Sequence, residues 1–138
     1  MTTIIAVRNV GLYSDSLCTF TVNFRVKKLY RVGEAIFGAA GNLEDMLKFR
    51  DWLDNEGEDT CEAKNFSALV MNRTGIYMHD GGHPDGFQIR EHHYAVGTGA
   101  VAAMAAMEAG ADPYKALKIA AKFDTTTGGK TQFLPYKR

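Results

Sequence analysis

Polar and apolar positions divide the first half of the chain into short strands and one helix. Thr3 to Val7 is a β-rich run, broken by Asn9 and Gly11 and resumed from Leu12 to Ser14, which predicts an opening hairpin. Phe20, Val22 and Phe24 then alternate with Thr21, Asn23 and Arg25, predicting a half-buried strand that runs into Val26 to Tyr30. A short strand from Glu34 to Ala39 ends at Gly41. From Asn42 the period lengthens: Leu43, Met46, Leu47, Arg50 and Leu53 fall on one helical stripe. Asn42 is placed to cap that helix, and Glu44 and Asp45 occupy the first turn, where the helix dipole favours acids. The helix ends in the acidic, glycine-containing segment from Asp54 to Thr60.

The second half repeats the order of strands followed by helices. Phe66 to Met71 and Gly75 to His79 read as a hairpin joined by Asn72-Arg73-Thr74, and Asp80 to Gly86 as a glycine and proline loop. Phe87 to Ile89 and His92 to Val96 complete this strand region. Helices follow from Ala100 to Ala109, closed by Gly110, and from Tyr114 to Phe123, started by Asp112 and Pro113 as N-cap and first residue. Thr131 to Leu134 reads as a last strand. Strands grouped with strands and helices with helices predict an α+β protein, with two antiparallel sheets and helices outside them.

Composition narrows the function classes. The 138 residues suit a single domain spanning residues 1–138. Sixteen basic and sixteen acidic side chains cancel, and no Lys/Arg block exceeds two residues, so neither nucleic acid nor an anionic membrane is an expected partner. The longest mainly apolar stretch, Ala100 to Ala109, is half of a membrane span. No basic segment followed by an apolar one opens the chain, and the expected location is cytoplasmic. Cys18 and Cys61 have no metal-ligand spacing and read as reduced thiols. His79, Asp80, His83, His92 and His93 match no strong metal motif, and neither a metal nor a cofactor is expected.

The chemistry-bearing candidates start at the N-terminus. Methionine before threonine is ordinarily trimmed, and loss of Met1 would leave Thr2 carrying both a hydroxyl and a free α-amine. With a pKa of about 7.7 to 8.0, that amine is partly unprotonated near neutrality and can take the hydroxyl proton as the oxygen attacks. Asp15, closing the first hairpin, and Lys28, ending a later strand, would tune such a nucleophile if they met it; a surface salt bridge is the alternative. Gly41, directly before a helix, offers a backbone N–H of the kind that stabilises an oxyanion, or is simply a turn glycine.

Taken together, the segments resemble the proteasome β-subunit family, and in particular its bacterial relative, the peptidase partner of an ATP-dependent unfoldase. The opening Met1-Thr2-Thr3-Ile4-Ile5-Ala6-Val7-Arg8 is similar to that family's start, and Tyr13-Ser14-Asp15-Ser16 to the turn bearing its acidic residue. Val26-Lys27-Lys28-Leu29 resembles the lysine segment, and Phe37 to Asp45 the glycine-rich strand end and helix start. Ala95-Val96-Gly97-Thr98-Gly99 resembles the family's Gly-Ser-Gly turn, and Asp124-Thr125-Thr126-Thr127-Gly128-Gly129 its Asp-x-x-Ser-Gly-Gly, each with threonine for serine.

The resemblance implies a four-layer αββα sandwich of two antiparallel sheets, the N-terminal-nucleophile hydrolase fold. It implies a threonine-type peptidase in which Thr2 attacks, Asp15 and Lys28 tune it, Gly41 binds the oxyanion, and Thr98, Asp124 and Thr127 hold the terminal amine. For the last three, local turn bonding is the alternative. It also implies a self-assembling homo-oligomer, a peptide or unfolded-protein substrate and a separate ATP-dependent unfoldase. Relatives usually carry two long helices where this chain shows only Asn42 to Asp54, so a reduced helical layer is expected on one side, with ring closure affected. Leu17 stands where relatives often carry arginine. A non-catalytic proteasome-like scaffold and a small-molecule amidase are the competing readings.

Overall fold

A computed structural model describes residues 2–58 and 60–137; the expected removal of Met1 falls outside the described residues. The chain opens with β1 (Thr3–Val7), which forms a hairpin with β2 (Gly11–Ser14). A small ribbon of β3 (Leu17–Cys18) and β4 (Phe24–Arg25) follows, then β5 (Leu29–Val32), β6 (Ala35–Gly41) and helix α1 (Leu43–Asp54). The meander of β7 (Phe66–Asn72), β8 (Gly75–Asp80) and β9 (His83–Ile89) leads to β10 (His93–Gly97). Helices α2 (Ala100–Glu108) and α3 (Pro113–Phe123) precede the last strand, β11 (Gln132–Pro135).

The main strands make two antiparallel sheets, ordered β10-β1-β2-β11 and β5-β6-β7-β8-β9. Strand alternation sorts their faces into layers. Ile4, Ala6 and Leu12 of the first sheet pack on Leu29, Ile36, Leu69 and Ile76 of the second. Ile5, Tyr13 and Ala95 point the other way, onto the alanine-rich faces of α2 and α3. On the far side of the second sheet, Phe37, Phe66 and Val70 pack around Phe49 of α1. The order is therefore helices, sheet, sheet, helix, with α1 alone on its side, as the reduced layer predicts. No helix among the described residues is long and apolar enough to cross a membrane.

Both expected caps are present. Asn42 Oδ1 accepts from the Glu44 and Asp45 amides, and Asp112 Oδ1 from the Lys115 amide, each satisfying donors that have no partner within the helix.

Three expectations need correction. The strand expected through Phe20 and Val22 is instead the connection between β3 and β4, where both side chains are 77% exposed. Alternation suggests a strand there, but the chain must reverse between Cys18 and Phe24 for the two short strands to pair. The loop expected from Asp80 to Gly86 is mostly strand, since β9 begins at His83. Pro84 is tolerated there because β9 is an edge strand, paired to β8 through a register shift between Met78 and Asp80. Finally, α1 is rotated relative to the expected stripe: Leu43 and Leu47 are exposed, whereas Phe49 is fully buried. The buried stripe runs through Met46, Phe49 and Leu53 at the same helical spacing, and the aromatic layer of the sheet decides that this stripe is buried instead of the one through Leu43 and Leu47.

Phe49 makes ring contacts with Phe37, Trp52, Phe66 and His79. Phe49→Ala should therefore cost about 3–5 kcal/mol, read as a shift in a urea unfolding midpoint. His79 lies in the same cluster, its Nδ1 2.9 Å from the Pro84 carbonyl oxygen. Burial pushes its pKa below 6.5, with the Pro84 contact and the Asp85 and Asp80 carboxylates opposing part of the shift. Below that pH the unfolded chain takes up a proton that the folded chain resists, so this contribution to stability is present above about pH 6.5 and falls on acidification. Unfolding curves at pH 7.5 and 5.5 should differ more for the parent chain than for His79→Gln.

Candidate active site

Thr2 precedes the second-position strand of the first sheet, and the hairpin brings Asp15 alongside it. Register pairs Ile4 with Ser14, so the next residue reaches the chain start: Asp15 Oδ1 accepts from the Thr3 amide at 3.1 Å. Its other oxygen accepts from the Gly128 amide at 2.9 Å. Lys28 arrives from the opposite side, just before β5, and Gln132 of β11 fixes its backbone. Gln132 Oε1 accepts from the Lys28 amide at 2.9 Å, and Nε2 donates to the Val26 carbonyl at 2.7 Å.

The Lys28 side chain is directed inward. Its ammonium donates to Asp15 Oδ1 at 3.0 Å, to Thr2 Oγ1 at 2.6 Å and to the Leu17 carbonyl at 2.5 Å. The side chains of the ion pair are only 3% and 2% exposed, so this is no surface salt bridge. Burial lowers the Lys28 pKa, while the Asp15 carboxylate and its hydrogen bond pull it back up. Without Asp15 the ammonium would lose the charge that offsets its desolvation.

A second carboxylate organises the other side of Thr2. Asp124 follows α3, and its Oδ2 accepts from the hydroxyls of Thr98 at 2.5 Å and Thr127 at 2.6 Å. Oδ1 accepts from the Thr126 amide at 3.1 Å and hydroxyl at 2.8 Å. Desolvation pushes the Asp124 carboxyl up, but the bonds from Thr127, Thr98 and Thr126 outweigh it and hold the group well below the usual carboxylate range.

These bonds fix hydroxyl polarity. Thr98 spends its proton on Asp124, so its oxygen accepts from the Thr2 nitrogen, 3.3 Å away. Thr127 likewise donates to Asp124, so the 2.8 Å contact with Thr3 Oγ1 has Thr3 as donor. Local turn bonds, from Thr126 and Thr127, and long-range ones, through Thr98, meet on the same carboxylate.

Six of the seven expected residues, Thr2, Asp15, Lys28, Thr98, Asp124 and Thr127, thus share one hydrogen-bonded network. Gly41 is placed differently: it shares with Gly97 and Thr98 the wall of a pocket of about 370 Å³. Its φ of +127° is open to glycine, and a Cβ there would overlap the Asn65 carbonyl. Sequence reasoning missed Thr3, Thr126, Gln132 and the Leu17 carbonyl. Thr3 and Gln132 left a usable signal, as polar side chains inside predicted apolar strands; a backbone carbonyl leaves none.

Among the described residues, no group of three or more His, Cys, Asp or Glu side chains is arranged to hold a metal. His83 pairs instead with Asp80 and His93 with Glu108. Cys18 and Cys61 are both free thiols.

No protein-family model matches the sequence, and comparison with the curated proteins finds no match. Solved structures do match. The chain is similar to eukaryotic HslV from Trypanosoma brucei, at 20% identity over 96% of this chain and 98% of that one, with a TM-score of 0.79. It is also similar to BPH of Thiobacillus denitrificans, at 20% identity over 97% and 96% of the two chains, with a TM-score of 0.72. The same protein in complex with epoxomicin matches at 19% identity over 97% and 96%, with a TM-score of 0.69. At these identities the likeness is one of fold: the chain has the N-terminal-nucleophile hydrolase fold of HslV and the proteasome.

Proposed function

We propose that this protein is a threonine-type peptidase whose nucleophile is Thr2, exposed as the N-terminal residue by removal of Met1. The observation that carries the reading is the buried Lys28 ammonium, 2.6 Å from Thr2 Oγ1 and anchored by Asp15. A buried ion pair is a poor source of stability, since an apolar pair of similar volume serves as well or better. Aimed at a hydroxyl, it favours the developing alkoxide and a neutral neighbouring amine.

In the proposed reaction, Thr2 Oγ1 bonds to the amide carbonyl carbon as the Thr2 α-amine accepts the hydroxyl proton. Lys28 stabilises negative charge on the attacking oxygen, and the Gly41 N–H receives the charge on the carbonyl oxygen. The amine then returns the proton to the leaving nitrogen, the C–N bond breaks, and an ester to Thr2 remains. A water activated by the same amine releases the acyl product. Thr98 orients the amine by accepting one of its hydrogens, and Asp124 keeps Thr98 in that polarity. With Met1 attached, the Thr2 nitrogen is an amide without a basic lone pair, and this route is closed.

A homo-oligomer acting on peptides or unfolded protein, supplied by a separate ATP-dependent unfoldase, is the proposed setting, in the cytoplasm.

Intact-mass measurement should find natively produced protein lacking Met1, and that form should hydrolyse peptides. Thr2→Ala should lower kcat/KM by at least about 10³-fold; retained Met1, or an active Thr2→Ala, would remove the nucleophile. Asp124 is held charged far below neutrality, so the acid limb of kcat/KM should report the amine, with an apparent pKa near or below about 8. Asp124 also contributes stability that is present above about pH 3.8 and lost as pH falls through its lower folded value. Asp124→Asn should flatten that acid loss in unfolding curves.

A further inference from the structure

The pocket beside Thr2 lies where the two sheets part. Ala40 and Ser67 are register partners on β6 and β7. Their neighbours Ala39, Phe66 and Ala68 pack beneath α1, so alternation turns Ala40 and Ser67 toward the gap between the sheets. Further in, that gap is filled by Ile36 and Leu69 from the same strands. At its mouth Ala40, Gly41 and Ser67, with Asn65 and Phe66 beside them, face Gly97 and Thr98, and a mostly apolar space of about 370 Å³ remains. Among the described residues no ionisable side chain lines it. Gly97 brings the wall against Thr2, since a Cβ at that position would overlap the Thr2 carbonyl.

Proton transfer decides which half of a substrate passes this wall. If Thr2 reacts as proposed above, its amine delivers the proton to the leaving nitrogen, so the departing half of the substrate lies on the amine side. That side is marked by Thr98, whose oxygen accepts from the Thr2 nitrogen at 3.3 Å and whose side chain borders the pocket. We infer that this pocket receives the side chain of the residue immediately after the scissile bond, and that it selects an uncharged apolar side chain of about leucine size. A charged side chain would meet a mostly apolar wall with no ionic partner among the described residues, and glycine would make no contact with that wall. Ser67 is the specificity-determining position, because its side chain faces the space without belonging to the hydrogen-bonded network around Thr2.

The test is digestion of a peptide library of even composition by full-length protein with a free Thr2 amine, with cleavage positions mapped by mass spectrometry. Leucine, isoleucine, valine and methionine should follow the cut about tenfold or more above glycine and aspartate, the discrimination a few methylenes supply. Ser67→Leu fills the space and should lower the leucine-to-glycine ratio by about tenfold; Ser67→Val, a smaller change for folding, should lower it by less. An even distribution after the cut in the parent protein, or an unchanged ratio in a folded variant, overturns the pocket assignment and leaves Thr2 standing. Cuts that persist in Thr2→Ala overturn the nucleophile itself, and an absence of cuts by the free-amine form overturns both.

Discussion

A lysine ammonium held out of water is the constraint on which the rest of this structure depends. Lys28 can remain charged in the interior only if acceptors meet it from several directions, and each comes from a different part of the chain. Asp15 comes from the end of the β1–β2 hairpin, the Leu17 carbonyl from the small ribbon, and the Thr2 hydroxyl from the chain start. Gln132 holds the backbone segment that delivers the lysine. Moving any of these elements would leave a charge unanswered, so the burial of one side chain fixes their relative positions.

Asp124 makes a second centre, and the two are linked twice. Thr3 donates its amide to Asp15 and its hydroxyl to Thr127, while the Gly128 amide returns from the Asp124 turn to Asp15. Both carboxylates therefore hold the start of β1, one through its backbone and one through hydroxyls whose proton directions are set. This closed circuit places the Thr2 oxygen and nitrogen against different partners, ammonium on one side and hydroxyl oxygen on the other. The two polar atoms of this one residue are thereby kept in different environments.

The layered fold was legible in the sequence because its signals are local: period changes at Asn42, caps at Asn42 and Asp112, and turns at Gly41 and Gly110. Six residues of the hydrogen-bonded network were legible through motif order, although spacing alone could not say that Asp15 and Lys28 meet. What failed was information held by partners. Phe20 and Val22 alternate as a strand would, yet they form the connection over which β3 turns back to pair with β4. On α1 two helical stripes overlap, and the sheet presenting Phe37 and Phe66 takes Met46, Phe49 and Leu53 while leaving Leu43 and Leu47 exposed. Pro84 reads as a loop residue until β9 proves to have only one neighbour. Burial is a property of pairs, and a single segment carries half of it.

The reduced helical layer bears on the site through a short chain of contacts. Asp45, in the first turn of α1, is buried, and its carboxylate accepts from the Lys64 and Asn65 amides at 3.2 and 3.1 Å. The Asn65 carbonyl in turn accepts from the Asn42 amide, directly after Gly41. The same carbonyl is the atom that excludes a side chain at Gly41. One helix therefore suffices to clamp the glycine wall of the pocket, because the clamp uses only its first turn and the entry to β7. Loss of a second helix would remove packing surface on the outer side of the second sheet without reaching the network around Thr2, which is built from the first sheet and the segments beside it. This separation leaves the hydrogen-bonded network at the chain start independent of the thickness of the outer layer.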